Sequence, residues 1–313
     1  MQIIDRTEIL RRLDGVDLIS AIETGFVAYS RGEAVVPAPG ELLFNDPPGD
    51  THIKYGYIKG QPNFAIKVAS GFYQNPGIGL SSSQGLILVM SAKTGEPVAL
   101  LCDDGVLTDI RTAVAGAIAA KYLAPAQIEV IGVIGSGIQA EYQVDYLQSV
   151  RPCKNILIWN HRTPSAEAYR DRMCAKGYTV EIASTARDVC AHARLIITTT
   201  PSHVPLIMNA DVQQGTHITA MGADTAEKNE INPELFSRAD RIIVDSAEHC
   251  PFRGEILHAL ATGMLAPERM IELGTLIETY PKLRRGPDDV SIAVLTGLAV
   301  QDIAIANAVL DYA

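Results

Sequence analysis

Residues 128–142, IEVIGVIGSGIQAEY, constrain this chain more than any other stretch. Positions 130–134 read as a short buried strand, and Gly135-Ser136-Gly137-Ile138-Gln139-Ala140 follow with no spacer. In such a G-x-G-x-x-A turn the first glycine makes the tight bend and the second lets the backbone approach a pyrophosphate. The small third residue lets the new helix pack close to its strand. The helix start then offers unpaired N–H groups and a positive dipole to phosphate oxygens. Glycine-rich strand-to-helix turns also occur without ligands, so the surrounding pattern has to decide between a structural turn and a dinucleotide site.

That pattern is α/β. Apolar strands read at 130–134, 155–160, 179–183, 195–200, 217–221 and 241–245, separated by helix-like or loop segments. Six strands alternating with helices, with the glycine turn at the first βα junction, predict a doubly wound Rossmann-type domain over 118–296. The texture before it differs. Residues 18–29 carry Leu18, Ile22, Phe26 and Tyr29 at helical spacing, with Asp14 or Asp17 able to cap that helix. Short strands at 52–57, 64–69, 85–91 and 98–102 predict a mostly antiparallel sheet, with 93–97 as a hairpin turn. A helix starting at Thr108 becomes so Ala-rich over 113–123 that it must pack closely. The apolar helix at 296–311, with Gln301 and Asp302 embedded, is expected to cross back. The division is therefore an α+β domain of 1–117 and 297–313 and a dinucleotide-binding domain of 118–296.

Charge narrows the partners. The formal net charge is -10, and no Lys/Arg cluster offsets it, so nucleic acid is excluded as an expected partner. The densest basic patch, residues 282–285, reads as a solvated loop. No apolar run has membrane-spanning length, and Asp5, Arg6 and Glu8 interrupt any signal-peptide core, so a cytoplasmic protein without a membrane partner is expected. The five cysteines show no C-x-x-C spacing and read as reduced structural thiols. The seven histidines show no paired-ligand spacing, so no metal is expected.

The dinucleotide is read from the end of the second strand. An acid there would take the ribose 2′-hydroxyl of NAD, but the chain runs Trp159-Asn160-His161-Arg162-Thr163, with no acid before Glu167. A guanidinium and a hydroxyl suit a 2′-phosphate, which favours NADP(H) over NAD(H). The other reading of Arg162 is an exposed loop residue.

Three further pieces carry candidate chemistry. Phe64-Ala65-Ile66-Lys67-Val68 sets a lysine in an apolar strand, Leu107-Thr108-Asp109-Ile110-Arg111 sets an arginine at the start of the Ala-rich helix, and Met221-Gly222-Ala223-Asp224 sets a carboxylate past a strand's carboxyl end. Each has a plainer reading: a snorkelling edge residue, a structural ion-pair partner, a helix cap. Together they supply a cation pair for a carboxylate and an acid/base.

With these pieces in hand, the sequence resembles the ornithine cyclodeaminase/μ-crystallin family over essentially its whole length. The resemblance is carried by FAIKV, SSSQGLILVMSAKTGEPVALL, LTDIRTA, GVIGSGIQAEYQ, TTTPS at 198–202, GADTAEKNEI at 222–231, Gly254-Glu255-Ile256 and TGLAVQDIA at 296–304. It implies a homodimer, a first domain that supplies substrate contacts, and a Rossmann domain that binds NAD(P). It implies Lys67 as the active-site lysine, Arg111 as the carboxylate-binding arginine and Asp224 as the aspartate that serves in proton transfer or stabilises the iminium. Thr112 would contact the pyrophosphate at its helix start. Gly135, Ser136, Gly137, Ile138, Gln139, Asn160, Arg162, Thr163, Thr200 and Pro201 complete the expected cofactor set. Three departures stand out: Pro39 where many members carry an arginine, Lys54 where ornithine cyclodeaminase carries a catalytic glutamate, and Val294 near a position that is commonly polar. They argue against ornithine as substrate. The expected activity is NAD(P)H-dependent reduction of an imino acid or cyclic ketimine to the amino acid. The alternatives are an ammonia-releasing cyclodeaminase or alanine dehydrogenase-like enzyme, and a non-catalytic NADPH binder like μ-crystallin.

Overall fold

A computed structural model describes residues 1–72, 74–280, 282 and 286–311. Most of the basic patch at 282–285, and the last two residues of the expected first domain, lie outside the described residues. The chain divides into two compact units, Met1–Arg111 with Leu298–Ala313, and Thr112–Gly297.

In the first unit the order is β1 (Gln2–Asp5), α1 (Arg6–Leu13), α2 (Leu18–Ser30), β2 (Ala34–Val35), β3 (Gly40–Asn45), β4 (Pro48–Ile58), β5 (Asn63–Phe72), β6 (Ser83–Ser91), β7 (Pro97–Cys102) and the start of α3 (Val106–Leu123). The sheet runs β1-β7-β6-β5-β4-β2, with β3 also on β4. Every pairing is antiparallel except β1 with β7. The alternation of Ala65 and Lys67 on β5 with Ile87 and Val89 on β6 puts these side chains on one buried face.

Local hydrogen bonds set where the helices of this unit start. The strand β1 is followed directly by a helix, α1, whose start is capped by Asp5 (Glu8 N to Asp5 Oδ1, 2.9 Å). Asp17, not Asp14, caps α2 through Ser20 N at 3.1 Å. The helix expected from Thr108 starts at Val106, because Asp103 Oδ2 accepts from Leu107 N at 2.8 Å.

The second unit continues through β8 (Ile131–Ile134), α4 (Ile138–Leu147), β9 (Asn155–Trp159), α5 (Thr163–Ala175), β10 (Thr179–Ile182), α6 (Ala186–His192), β11 (Leu195–Thr198), β12 (His217–Ala220), α7 (Glu234–Arg238), β13 (Arg241–Val244), α8 (Gly254–Ala261), β14 (Met270–Glu272), α9 (Leu273–Thr279) and β15 (Ser291–Val294). Its sheet is parallel throughout, in the order β10-β9-β8-β11-β12-β15-β13-β14. One apolar core packs against one face, with Ala120, Ala140, Val144, Tyr169 and Met173. The other packs against the opposite face, with Val189, Leu235, Phe236 and Ile256. This is the doubly wound arrangement, and its strand order reverses between β8 and β11.

The sheet has eight strands where six are expected. The two unread strands, β14 and β15, are only three and four residues long. All four residues of β15 are buried, so it has no alternation to betray it, yet it sits between β12 and β13. Several expected strands also stop one or two residues early, as Asn160, Thr200 and Asp245 leave the ladder to make hydrogen bonds at the strand ends.

The division between units falls inside α3, six residues before the expected 117/118 boundary, and at 297/298 rather than 296/297. The Ala-rich half of α3 belongs with α4: a Cβ on Gly116 would lie 1.9 Å from Gln143 Oε1, and Gln143 Nε2 donates to Thr112 O at 3.1 Å. The last helix, α10 (Ala299–Leu310), returns to the first unit, where it packs on α2, β4 and β5.

Candidate active site

The candidate residues fall into two groups, one in each unit. In the first, Lys67 is not an edge residue: β5 lies between β4 and β6, and Lys67 is 1% exposed. Its Nζ donates to Asp302 Oδ1 at 2.8 Å. Arg111 Nε is 3.1 Å from the same oxygen, and Arg111 Nη1 donates to Gln301 Oε1 at 3.0 Å. Two cations thus share one carboxylate, all buried, which leaves one positive charge in excess. Among the described residues, Asp302 Oδ2 and Gln301 Nε2 have no hydrogen-bond partner.

Burial pushes the Lys67 ammonium down to about 7, and the Arg111 charge beside it acts the same way. Burial alone would raise Asp302, but Lys67 and Arg111 hold it below the ordinary carboxylate range. Lys54 stands opposite Lys67 in the β4–β5 register and adds a third positive charge to the field at both. A small carboxylate would offset the excess charge that the protein buries here.

Asp302 and Gln301 are the site residues that sequence reasoning did not assign. The signal was present: two polar residues inside an otherwise apolar helix must be paired when buried, and both are.

In the second unit the glycine turn has the expected form. Gly135 has φ +112°, and a Cβ there would meet Thr199 Oγ1 at 2.6 Å, so only glycine fits. Gly137 caps α4 without a side chain, and a Cβ there would meet nothing within 4 Å, which leaves the helix start open to an approaching group. Gly137 and Ile138 are exposed, Gln139 is half-buried, and Ala140 is fully buried. Asn160 joins the turn by donating from Nδ2 to Ser136 Oγ at 2.8 Å, while its Oδ1 accepts from Arg162 N at 2.8 Å. Arg162 is the exposed N-cap residue of α5, and Thr163 is its first residue. This open helix start and its neighbours fit a dinucleotide diphosphate.

Thr200 and Pro201 follow β11, on the far side of the reversal in strand order from β8. Thr112 requires a correction. It is the seventh residue of α3 rather than a residue of its start, so no free helix N–H accompanies it, and its carbonyl is taken by Gln143.

Asp224 lies in the loop after β12. Its Oδ1 accepts from Lys228 Nζ at 2.6 Å, and its carbonyl accepts from Arg253 Nη1 at 3.1 Å. Among the described residues no group of three or more His, Cys, Asp or Glu side chains could hold a metal, and no helix is long and apolar enough to cross a membrane.

Comparison with known proteins places these observations. The family model described as the ornithine cyclodeaminase/mu-crystallin family matches residues 1–313. An uncharacterised cyclodeaminase of Sinorhizobium fredii is 37% identical over 295 residues, 93% of this chain and 89% of the relative. Among solved structures, Thermococcus litoralis Δ1-pyrroline-2-carboxylate reductase in complex with NADH and L-proline superposes with a TM-score of 0.92 at 25% identity, covering 100% of this chain and 97% of its own. An archaeal alanine dehydrogenase, solved as a dimer with bound NAD, gives 0.89 at 29% identity, covering 100% and 95%.

Proposed function

The chain belongs to the ornithine cyclodeaminase/mu-crystallin family, and on that premise we propose that it is a nicotinamide-dependent oxidoreductase that reduces an imino acid or cyclic ketimine to the amino acid. The observation that carries this reading is the buried trio of Lys67, Arg111 and Asp302, whose surplus positive charge suits a small carboxylate. A relative that takes L-proline and NADH supports it.

Arg111 and Lys67 hold the substrate carboxylate and so fix the orientation of the adjacent carbon–nitrogen bond. A reduced nicotinamide, when bound, would supply the hydride. Asp224 holds a proton on the imine nitrogen, which makes the carbon a better acceptor and leaves the product as an amine. The dinucleotide diphosphate would rest on 135–139, with Asn160, Thr163, Thr200 and Pro201 as further contacts. Arg162, exposed beside the second strand's end, takes a 2′-phosphate, so NADP(H) is favoured over NAD(H).

Release of ammonia, as in an alanine dehydrogenase, is the second reading, favoured by the 29%-identical archaeal relative. Ornithine cyclisation is disfavoured, because Lys54 opposite Lys67 would repel a substrate's side-chain ammonium. The working form is a homodimer in the cytoplasm. All six residues of β3 are exposed, including Leu42, Leu43 and Phe44, and so are Tyr55 and Tyr57 on β4. A second copy would cover such apolar surface.

Asp224→Asn tests the chemistry: turnover should be abolished with dinucleotide affinity nearly unchanged, and a full rate in that variant would refute the role of Asp224. Measuring ammonia separates the two enzyme readings.

A further inference from the structure

The second unit buries two carboxylates that the mechanism above does not use. Glu230 is fully buried, and its side chain reaches the ends of two neighbouring strands. Glu230 Oε2 accepts from Thr198 Oγ1 at 2.7 Å and Gly222 N at 3.0 Å. Glu230 Oε1 accepts from Thr200 N and Thr200 Oγ1, both at 2.6 Å. One carboxylate therefore joins the loop after β11, which carries Thr200 and Pro201, to the loop after β12, which carries Asp224. Gly222 makes this approach possible, since a Cβ there would lie 2.2 Å from Thr200 O.

Glu230 is itself held by Glu255 in the first turn of α8, whose Oε1 accepts from Glu230 N at 2.6 Å and whose Oε2 accepts from Ile231 N at 3.0 Å. The same helix start abuts the Asp224 loop. A Cβ on Gly254, at φ +51°, would sit 2.0 Å from Ala223 O, and Gly254 N donates to Thr225 O at 2.9 Å. Charged groups of these loops pair elsewhere: Lys228 with Asp224, and Arg253 with the Asp224 carbonyl. The four hydrogen bonds to the Glu230 carboxylate come from backbone N–H groups and threonine hydroxyls. A carboxylate used only to fill the core would be replaceable by an apolar residue, whereas four donors converging from the ends of two strands make it a fastener.

We propose that Glu230 is a positioning residue that locks the proposed dinucleotide loop to the proposed acid/base loop, with Glu255 fixing Glu230 in turn. The proposal rests on the dinucleotide reading of Thr200 and Pro201 above. Glu230→Gln keeps the shape but presents an N–H group where the strand-end donors now point. Its expected effect is an approximately 10-fold rise in the dissociation constants of both NADPH and NADH. The KM for the carboxylate substrate, whose carboxylate is held by Lys67 and Arg111 of the other unit, should move less than the dinucleotide dissociation constants.

Titration of the full chain by nucleotide fluorescence, in parallel with steady-state rates, reads this split. A structural role alone would lower the active fraction and leave the dissociation constants where they are. Thr198→Val, which removes one donor from outside the proposed cofactor set, should raise them about threefold in the wild-type background and not at all in the Glu230→Gln background. Wild-type dissociation constants in Glu230→Gln would overturn the proposal. Should that variant fail to fold, unchanged binding in Thr198→Val would overturn it and weakened binding would support it. If the wild type binds the nucleotides yet reduces no imine, the catalytic reading fails while this test still stands. If the wild type binds neither nucleotide, both fail.

Discussion

The two units bury charge in opposite ways. In the first, Lys67 and Arg111 crowd one carboxylate, so the cluster carries surplus positive charge, and two of its polar atoms have no partner among the described residues. In the second, Glu230 and Glu255 accept hydrogen bonds at all four oxygens from groups of their own unit. Both arrangements oppose the charge that burial dislikes. Burial lowers Lys67 to about 7, raises Glu230 to about 7, and, with the Glu230 charge beside it, raises Glu255 to about 8. The difference lies in completeness. A cluster that its own protein leaves unbalanced suits a charged ligand, and one whose oxygens are all hydrogen-bonded within its unit suits a fastening role.

The strongest way to break this comparison is to remove one cation. Arg111→Met should lower kcat/KM at least about 100-fold, chiefly by losing the carboxylate anchor, and leave dinucleotide affinity intact. Steady-state kinetics with parallel nucleotide titration reads it.

Removing the shared carboxylate strikes the protein instead of the ligand. Asp302→Asn leaves two buried cations facing each other and should cost about 3–5 kcal/mol of stability near pH 6, measured by denaturant unfolding. Because Asp302 helps to keep Lys67 protonated, the variant's Lys67 should release its proton more readily, and part of the loss should return as pH rises.

A milder probe is pH. Lys67 loses its charge as pH rises through about 7, so affinity for a carboxylate ligand should fall above that point, by at most about tenfold per pH unit. A pH-independent affinity between 6 and 9 would contradict the role of Lys67 (the range is roughly that spanned by its shifted titration).

The stability curve of the ligand-free protein should show both clusters with opposite slopes. For Glu230 and Glu255 the folded values exceed the ordinary 4.5, so the folded form binds more protons; their contribution is present below about 4.5 and is lost as pH rises through about 7 to 8. For Lys67 the folded value lies below 10.5, so the folded form binds fewer protons, and the burden of its charge is relieved between about 7 and 10.5. Glu230→Gln should flatten the first limb and Lys67→Met the second. The smallest expected effect is that of Arg162→Ala, a few-fold loss of NADPH affinity with NADH unaffected, because the guanidinium is exposed and screened.

Most of this architecture is legible in the sequence where neighbouring signals agree on one physical use. Gly135 announces its left-handed turn and the Val/Ile runs announce the parallel sheet, while Lys67 in an apolar strand announces a buried charge that needs a partner. What was not legible is long-range pairing. Asp302 lies 235 positions beyond Lys67, and although the last helix is expected to cross back, nothing local says that it lays that carboxylate between two cations. Ser291–Val294 escaped notice because a four-residue strand buried on both faces has neither length nor alternation. The helix-start role of Thr112 comes from the family resemblance, whereas the helix itself begins six residues earlier, at Val106.

The central claim, that the cation cluster exists to hold the carboxylate of an imine undergoing reduction, is tested most directly by one assay. Purified protein is mixed with NADPH or NADH and with Δ1-pyrroline-2-carboxylate, Δ1-piperideine-2-carboxylate, iminosuccinate, or pyruvate with ammonia or methylamine, and nucleotide oxidation is followed by absorbance for the wild type and Arg111→Met. The account predicts turnover of at least one imine by the wild type and its near-complete loss in Arg111→Met, with nucleotide binding retained in both. Tight nucleotide binding with no turnover of any imine, or equal rates in the two proteins, would contradict it.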